Sequence, residues 1–305
     1  MTQSERPGTL QLVLAWAAVY FIWGSTYLGI RLAIDSIPPL LMAGSRHLLA
    51  GLVLFSWSWI RYRLPVPGPS AWLRAGTLGV LMLVTANGAT TWAEQLVPSG
   101  LTALIVCTSA LWLVLLNWLW RGAERPTPRM VAGLAAGFGG VAVLVAPGQF
   151  AGGTHVNLLG ALVLTGAALS WSIGSIYTLK LPRPANPSQF VSMQMIVAGC
   201  VLVATALLSG EGTAFSPGRV TTTSLVAYLY LTLFGSLISY SAYFWLLGHT
   251  TPSRLATISY VNPLVAVLLG WALAGESLTL RTALAAAIIL LAVGLITSRP
   301  ATRSR

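Results

Sequence analysis

The chain has 305 residues, of which 56% are hydrophobic and only 8% charged. Soluble domains carry roughly 25% charged residues, and a water-exposed fold this poor in charge could not cover itself with polar groups, so a soluble globular protein is excluded. The net charge of +11, from 17 Lys and Arg against 6 Asp and Glu, is scattered singly between apolar runs with no aromatic-interleaved basic stripe, which argues for topology signalling and against nucleic acid.

A bilayer core takes about 20 helical residues to cross. Ten spans are expected, at about 10–33, 38–60, 72–93, 98–120, 128–146, 157–179, 187–209, 221–247, 252–274 and 279–298. Long stretches, such as Met130 to Leu179, carry no Lys, Arg, Asp or Glu. Only helices satisfy their own backbone in lipid over such runs, and a barrel would alternate in strands of about ten residues. Pro147-Gly148 and Gly152-Gly153 supply the turn within that stretch. The first apolar run lacks a small-x-small cleavage signature, so a removed signal peptide is not expected.

In chain order, the first span carries Trp23-Gly24-Ser25-Thr26-Tyr27, with Trp23 and Tyr27 four apart on one helix face. The second carries Arg46. An Arg at mid-membrane costs about 2.5–3.5 kcal/mol and usually faces a cavity or a partner. It lies eight residues from Pro38, a rise of about 12 Å, which leaves it near the midplane. It is a candidate counter-charge for an anionic substrate. The alternative is a structural Arg bonded to helix carbonyls or snorkelling to a helix end. His47, one helical step away, is expected to pack or to serve an interface. The third span holds Asn87 beside Gly88 and ends at Glu94, a candidate coupling carboxylate for which a capping or loop-facing role is the preferred reading, so the sequence leaves the coupling open. Gly133-x-x-x-Gly137 in the fifth span makes a homodimer conceivable on spacing alone.

The sixth span carries Trp171, Gly174, Ser175 and Tyr177, and the seventh Gln194. The ninth carries Tyr260 and Asn262 before Pro263, which frees a backbone carbonyl that could join a site. With Trp23, Ser25, Tyr27, Arg46 and Asn87, these are the candidate cavity residues. The competing reading for each is helix packing, an interfacial aromatic belt or a patched kink. Cys107 and Cys200, each inside an apolar run, imply no disulfide and no metal site. No Gly-rich phosphate loop, HExxH, GxSxG or Ser/His/Asp cluster occurs, so neither ATP drive, a cofactor nor an enzymatic reaction is expected.

Thirteen Lys and Arg fall in the tails and the loops after even-numbered spans, whereas Arg31, Arg219 and Arg281 make three in the other set. The bias puts both termini in the cytoplasm and requires an even number of spans. The two halves also match. Gly24-Ser25 and Tyr27 correspond to Gly174-Ser175 and Tyr177; Arg46 before Ala50-Gly51 corresponds to Gln194 before Ala198-Gly199; Pro98-Ser99 to Pro252-Ser253; and Glu124 to Glu276. Two repeats, 10–146 and 157–298, are therefore expected. Five spans each is an odd number, so the second sits inverted, a plan typical of secondary transporters with a midplane site.

These residues also carry a resemblance to a known family. Tyr20 to Tyr27 (YFIWGSTY), Pro38 to Gly44 with Arg46, Ala93-Glu94 with Val97 to Gly100, and Tyr260 to Gly270 with Gly275-Glu276 resemble the ten-helix drug/metabolite transporters of the EamA type, over nearly the whole chain. The resemblance implies an all-α inner-membrane protein of two five-helix repeats that exports amino acids, metabolites or toxic compounds. Members often carry a proline in the middle of the fourth helix; here that helix reads Thr108-Ser109-Ala110, so the halves are expected to bend differently. A secondary carrier of a small molecule, an exporter by alternating access, is the leading reading. An importer of the same fold is its rival, and a membrane enzyme or scaffold the rival from another class.

Overall fold

The computed structural model describes residues 8–121, 127–145, 156–182, 184, 186–250, 255 and 257–297. Among them no strand occurs, and ten long helices follow one another. These are α1 (Thr9–Ala33), α2 (Pro39–Tyr62), α3 (69–93), α4 (Ser99–Trp120), α5 (Pro128–Val145), α6 (Leu158–Lys180), α7 (Pro187–Leu208), α8 (Thr222–Leu246), α9 (Ile258–Ala274) and α10 (Leu280–Thr297). Six of them are long and apolar enough to cross a bilayer by length and composition, and α5, α9 and α10 are shorter apolar helices. Large apolar side chains point outward, among them Leu10, Ile60, Leu208 and Leu291. Such an outer face is stable against lipid and not against water.

Local chemistry sets the ends. Pro39, Pro69 and Pro187 occupy first-turn positions, where a missing N–H costs nothing. Asn157, Asn186 and Thr221 cap α6, α7 and α8 by accepting from the backbone N–H three residues on. Gly275, at φ 65°, ends α9 in the left-handed conformation that favours glycine.

Three helices loosen locally into π geometry: Ala18–Ile22 in α1, Gly79–Gly88 in α3 and Leu231–Ser239 in α8. The α3 and α8 stretches occupy corresponding places in the two halves. Such segments recur at functional sites because they swing side chains out of the regular helical register. The expected difference between α4 and α9 is present. Pro263 lies inside the continuous α9. In α4 the ladder instead breaks at Cys107-Thr108, where Thr108 N and Leu111 N reach back only three residues, to Ile105 and Thr108. The opened turn is held from outside. Cys107 Sγ donates to Ser259 O at 3.0 Å, and Ser172 Oγ donates to Ser109 O at 2.8 Å.

The halves interlock. α2 lies along α7, α4 against α9 and α5 against α10, while α1 packs on α8 and α9 as α6 packs on α3 and α4. Exchanging the halves reproduces this set of contacts, so the chain is two five-helix repeats related by inversion. The α2–α7 crossing depends on glycine: a Cβ on Gly51 would lie 2.8 Å from Ile196 N, and one on Gly199 2.5 Å from Leu48 N. Gly137 packs against Leu111 of α4 and Ala292 of α10, and Gly140 against Ile289. The small-residue face of α5 is therefore occupied within the chain.

Candidate functional site

A cavity of about 390 Å³ lies between the halves, within the usual size range of small-molecule sites. Side chains of α1, α2, α3, α4, α6, α8 and α9 line it. α7, expected among the lining helices, contributes none, because its glycine-tight seam with α2 brings the two backbones together and leaves no space between them.

Seven of the residues singled out in the sequence meet at this cavity: Trp23, Tyr27, Arg46, Asn87, Trp171, Ser175 and Asn262. Four others do not line it or are not described. Ser25 turns towards α8, its hydroxyl 2.6 Å from Tyr230 OH. Tyr177 is half-buried outside the cavity. Gln194 is buried behind the wall, where its Oε1 accepts from Tyr240 OH at 2.8 Å. Tyr260 sits on α9, and its side chain is outside the described ones. Asn262, with its amide nitrogen turned to α1, donates to Val19 O at 3.0 Å and Tyr20 O at 3.1 Å. It thereby patches the π segment Ala18–Ile22.

The polar centre joins α2 to α3. Arg46, 2% exposed, donates from Nη2 to Asn87 Oδ1. His47 Nε2 lies 3.2 Å from the same oxygen. That oxygen can only accept, so Nε2 carries the ring hydrogen and Nδ1 faces Ser236 Oγ at 3.5 Å. Sequence spacing sets His47 aside as a packing residue, but one acceptor on α3 draws in both side chains. Nε of Arg46 is buried and has no partner among the described residues.

Aromatic rings face this centre. Trp23 meets Trp171 edge-on at 5.9 Å and Tyr243 at 5.0 Å, and Tyr240 meets Phe244 at 5.1 Å. Tyr240, Tyr243 and Phe244 were not legible as site residues in the sequence. Their one signal is the i, i+3, i+4 aromatic spacing that places them on one face of α8.

The ends of the cavity differ. At the end bearing Arg31 and Glu94, acidic side chains of the second half seal helices of the first. Glu211 accepts from Leu40 N at 3.3 Å and Leu41 N at 2.8 Å. Glu276 accepts from Ser99 N and Ser99 Oγ, both at 2.7 Å, and from Gly100 N at 2.9 Å. Carboxylates on the first turns of α2 and α4 match the positive end of the helix dipole. Ser224 Oγ donates to Leu32 O at 2.8 Å beside them. Glu94 is 1% exposed, and neither carboxyl oxygen has a hydrogen-bond partner among the described residues. It lies within electrostatic reach of Glu276, Arg31 and Arg46, and Arg31 Nη1 donates to its backbone carbonyl at 3.2 Å. Towards the other end the lining continues through Leu113, Val114, Thr178 and Leu179, and Leu179 is 59% exposed. Among the described residues no group of three His, Cys, Asp or Glu could hold a metal ion.

Ten apolar helices in two interlocked repeats around a cavity define a multi-pass membrane protein. The EamA-like transporter family matches residues 10–146 and again 158–298; the chain belongs to that family and is a membrane transporter. It is 37% identical over 290 residues to the "Uncharacterized inner membrane transporter YedA" of Escherichia coli K12, covering 94% of this chain and 91% of that one. It is 30% identical to "Protein PecM" of Dickeya dadantii, over 82% and 80% of the two chains. It is 28% identical to a "Probable amino-acid metabolite efflux pump" of Salmonella typhimurium, over 95% and 93%. A crystal structure aligns over 94% of this chain and 97% of its own at TM-score 0.64 and 18% identity, a likeness of fold.

Proposed function

We propose that this chain is a secondary carrier that exports small organic molecules across the inner membrane by alternating access, with both termini in the cytoplasm. The observation that carries this reading is the difference between the two ends: Glu211 and Glu276 tie helix starts of the first half at one, and the lining reaches the exposed Leu179 beside Lys180 at the other, which this reading takes as the open end. The arginine bias assigns the open end to the cytoplasm. A cavity open there is poised to load from inside the cell, the first step of export. The efflux pump among the relatives supports the same direction.

In this reading the halves 10–146 and 157–298 are the two bodies that rock about the α2–α7 and α4–α9 contacts. The substrate sits among Trp23, Tyr27, Arg46, Asn87, Trp171, Ser175 and Asn262. Glu94, buried and with both carboxyl oxygens unpartnered among the described residues, is the group through which a proton gradient drives the cycle.

The test is flux of labelled amino acids, aromatic acids and organic cations in proteoliposomes of known orientation, with and without a pH gradient. Net movement from the Lys180 side to the Glu276 side is expected. Accumulation only in the opposite direction makes the chain an importer, and no flux of any class overturns the carrier reading.

A further inference from the structure

The charge balance of the cavity points to the chemistry of what it holds. Arg46 and His47 line it, and no carboxylate does among the described residues. The direct partner of Arg46 is the neutral amide of Asn87, and its Nε–H has no acceptor among the described residues. Glu94 lies within electrostatic reach of Arg46, but it makes no hydrogen bond with the guanidinium and is not part of the cavity wall. A buried cation whose contacts are all neutral is costly, and an anion placed against it recovers that cost.

Four hydroxyls of the wall do not compete for an anion. Thr26 donates to Trp23 O at 2.6 Å, Thr90 to Ala86 O at 2.9 Å, Ser175 to Trp171 O at 2.9 Å and Thr178 to Gly174 O at 2.9 Å. Their hydroxyl hydrogens are committed to their own helices. The charged donor left for a ligand is the guanidinium of Arg46; the amide of Asn87, the indoles of Trp23 and Trp171 and the hydroxyl of Tyr27 are neutral donors of the same wall. Across from it stand the rings of Trp23, Trp171, Tyr240 and Tyr243.

We propose that the cavity is a site for an organic monoanion with an apolar or aryl body, its carboxylate on Arg46 and its body on the aromatic wall, and that Asn87 sets this preference by holding Arg46 without neutralising it. The inference rests on the carrier reading for its purpose but not for its test. An α-ammonium group would enter a wall that offers it no carboxylate, so the deaminated acid is preferred over the corresponding amino acid. Asn87 is a specificity-determining residue: a carboxylate at its position would occupy the guanidinium and close the anion site.

The experiment is equilibrium binding to the purified full chain in detergent, read by quenching of tryptophan fluorescence. Three probes share one aryl skeleton: 3-phenylpropionate, phenylalanine and 2-phenylethylammonium. The anion is expected to bind about ten- to hundredfold more tightly than the cation, the range of a charge-assisted hydrogen bond, with the zwitterion between them. In Asn87→Asp that order should collapse or reverse. Arg46→Gln should lose the anion, and unchanged elution and thermal unfolding would show that it still folds. Equal or tighter binding of the cation, unaltered order in Asn87→Asp, or no saturable binding of any probe overturns the proposal. A chain that binds the anion in this pattern yet moves nothing in proteoliposomes overturns the carrier reading and leaves the anion site standing.

Discussion

Two buried ionisable side chains stand out at the scale of single residues, and they are handled in opposite ways. Arg46 is bonded to a neutral amide and faces the cavity, whereas Glu94 is buried outside the cavity wall with both oxygens unpartnered among the described residues. Burying an unpaired carboxylate is expensive in a protein interior. The group is therefore suited to exchanging a proton as its surroundings change between states. Replacing Glu94 by Gln keeps shape and polarity but removes the titration. The expected outcome is transport of 3-phenylpropionate that no longer responds to a pH gradient, while exchange of label at equal pH persists. Proteoliposome flux under the two conditions measures this; an intact gradient response would remove Glu94 from coupling. The spacing around Arg46 made its depth legible, but not the carboxamide that holds it. Asn87 lies 41 positions further along the chain, and nothing local in the sequence pairs them.

The decisive contact between elements is the α2–α7 seam. Glycines there let backbones meet, and the gain is van der Waals packing, since lipid offers no hydrophobic drive between helices. Gly199→Ala places a methyl group against the Leu48 backbone, and overpacking of this kind costs about 1–3 kcal/mol. A lower temperature of thermal unfolding in detergent is expected. Gly166→Ala on α6, where a Cβ would meet nothing within 4 Å, is the control and should not lower it. The sequence marked Ala50-Gly51 and Ala198-Gly199 as corresponding positions of the two halves, not as partners in one seam. The break of α4 at Cys107-Thr108 was legible only as a missing proline. Its stability depends on Ser172 and Ser259, which belong to other helices.

Across the whole molecule, the two carboxylate contacts join the halves, and in the proposed carrier cycle they are the latch. Glu211 and Glu276 come from the second repeat and hold helix starts of the first. In that proposal, opening that end requires both to release. Cys107 lines the cavity and Cys200 is exposed on α7, so a Cys200→Ser background leaves one native reporter. In that background Cys107 should react with a membrane-impermeant maleimide from the Lys180 side. Adding Glu276→Gln should raise labelling from the opposite side several-fold, by weakening the charge-assisted bonds to Ser99 and Gly100. Vesicles of the two orientations separate these outcomes, and unchanged sidedness would mean that the seal does not govern access.

The sequence by itself determined the ten helices, their two repeats and the inverted relation between them. Lipid forces every spanning backbone to satisfy itself locally, so apolar length is enough to define each helix, and an odd count per repeat is enough to define the inversion. It also placed Trp23, Trp171, Arg46 and Asn87 as candidates, because polar and aromatic groups at mid-membrane are costly unless they have a use. Only the tertiary structure decided which of them share a cavity. It put Gln194 behind Tyr240, turned Ser25 away towards Tyr230, brought His47 in beside Arg46, and added Tyr240, Tyr243 and Phe244 to the wall. The physical reason is rotation: the face a helix presents to a cavity is set by its neighbours and by π segments that shift the register, and neither can be read from the helix's own residues.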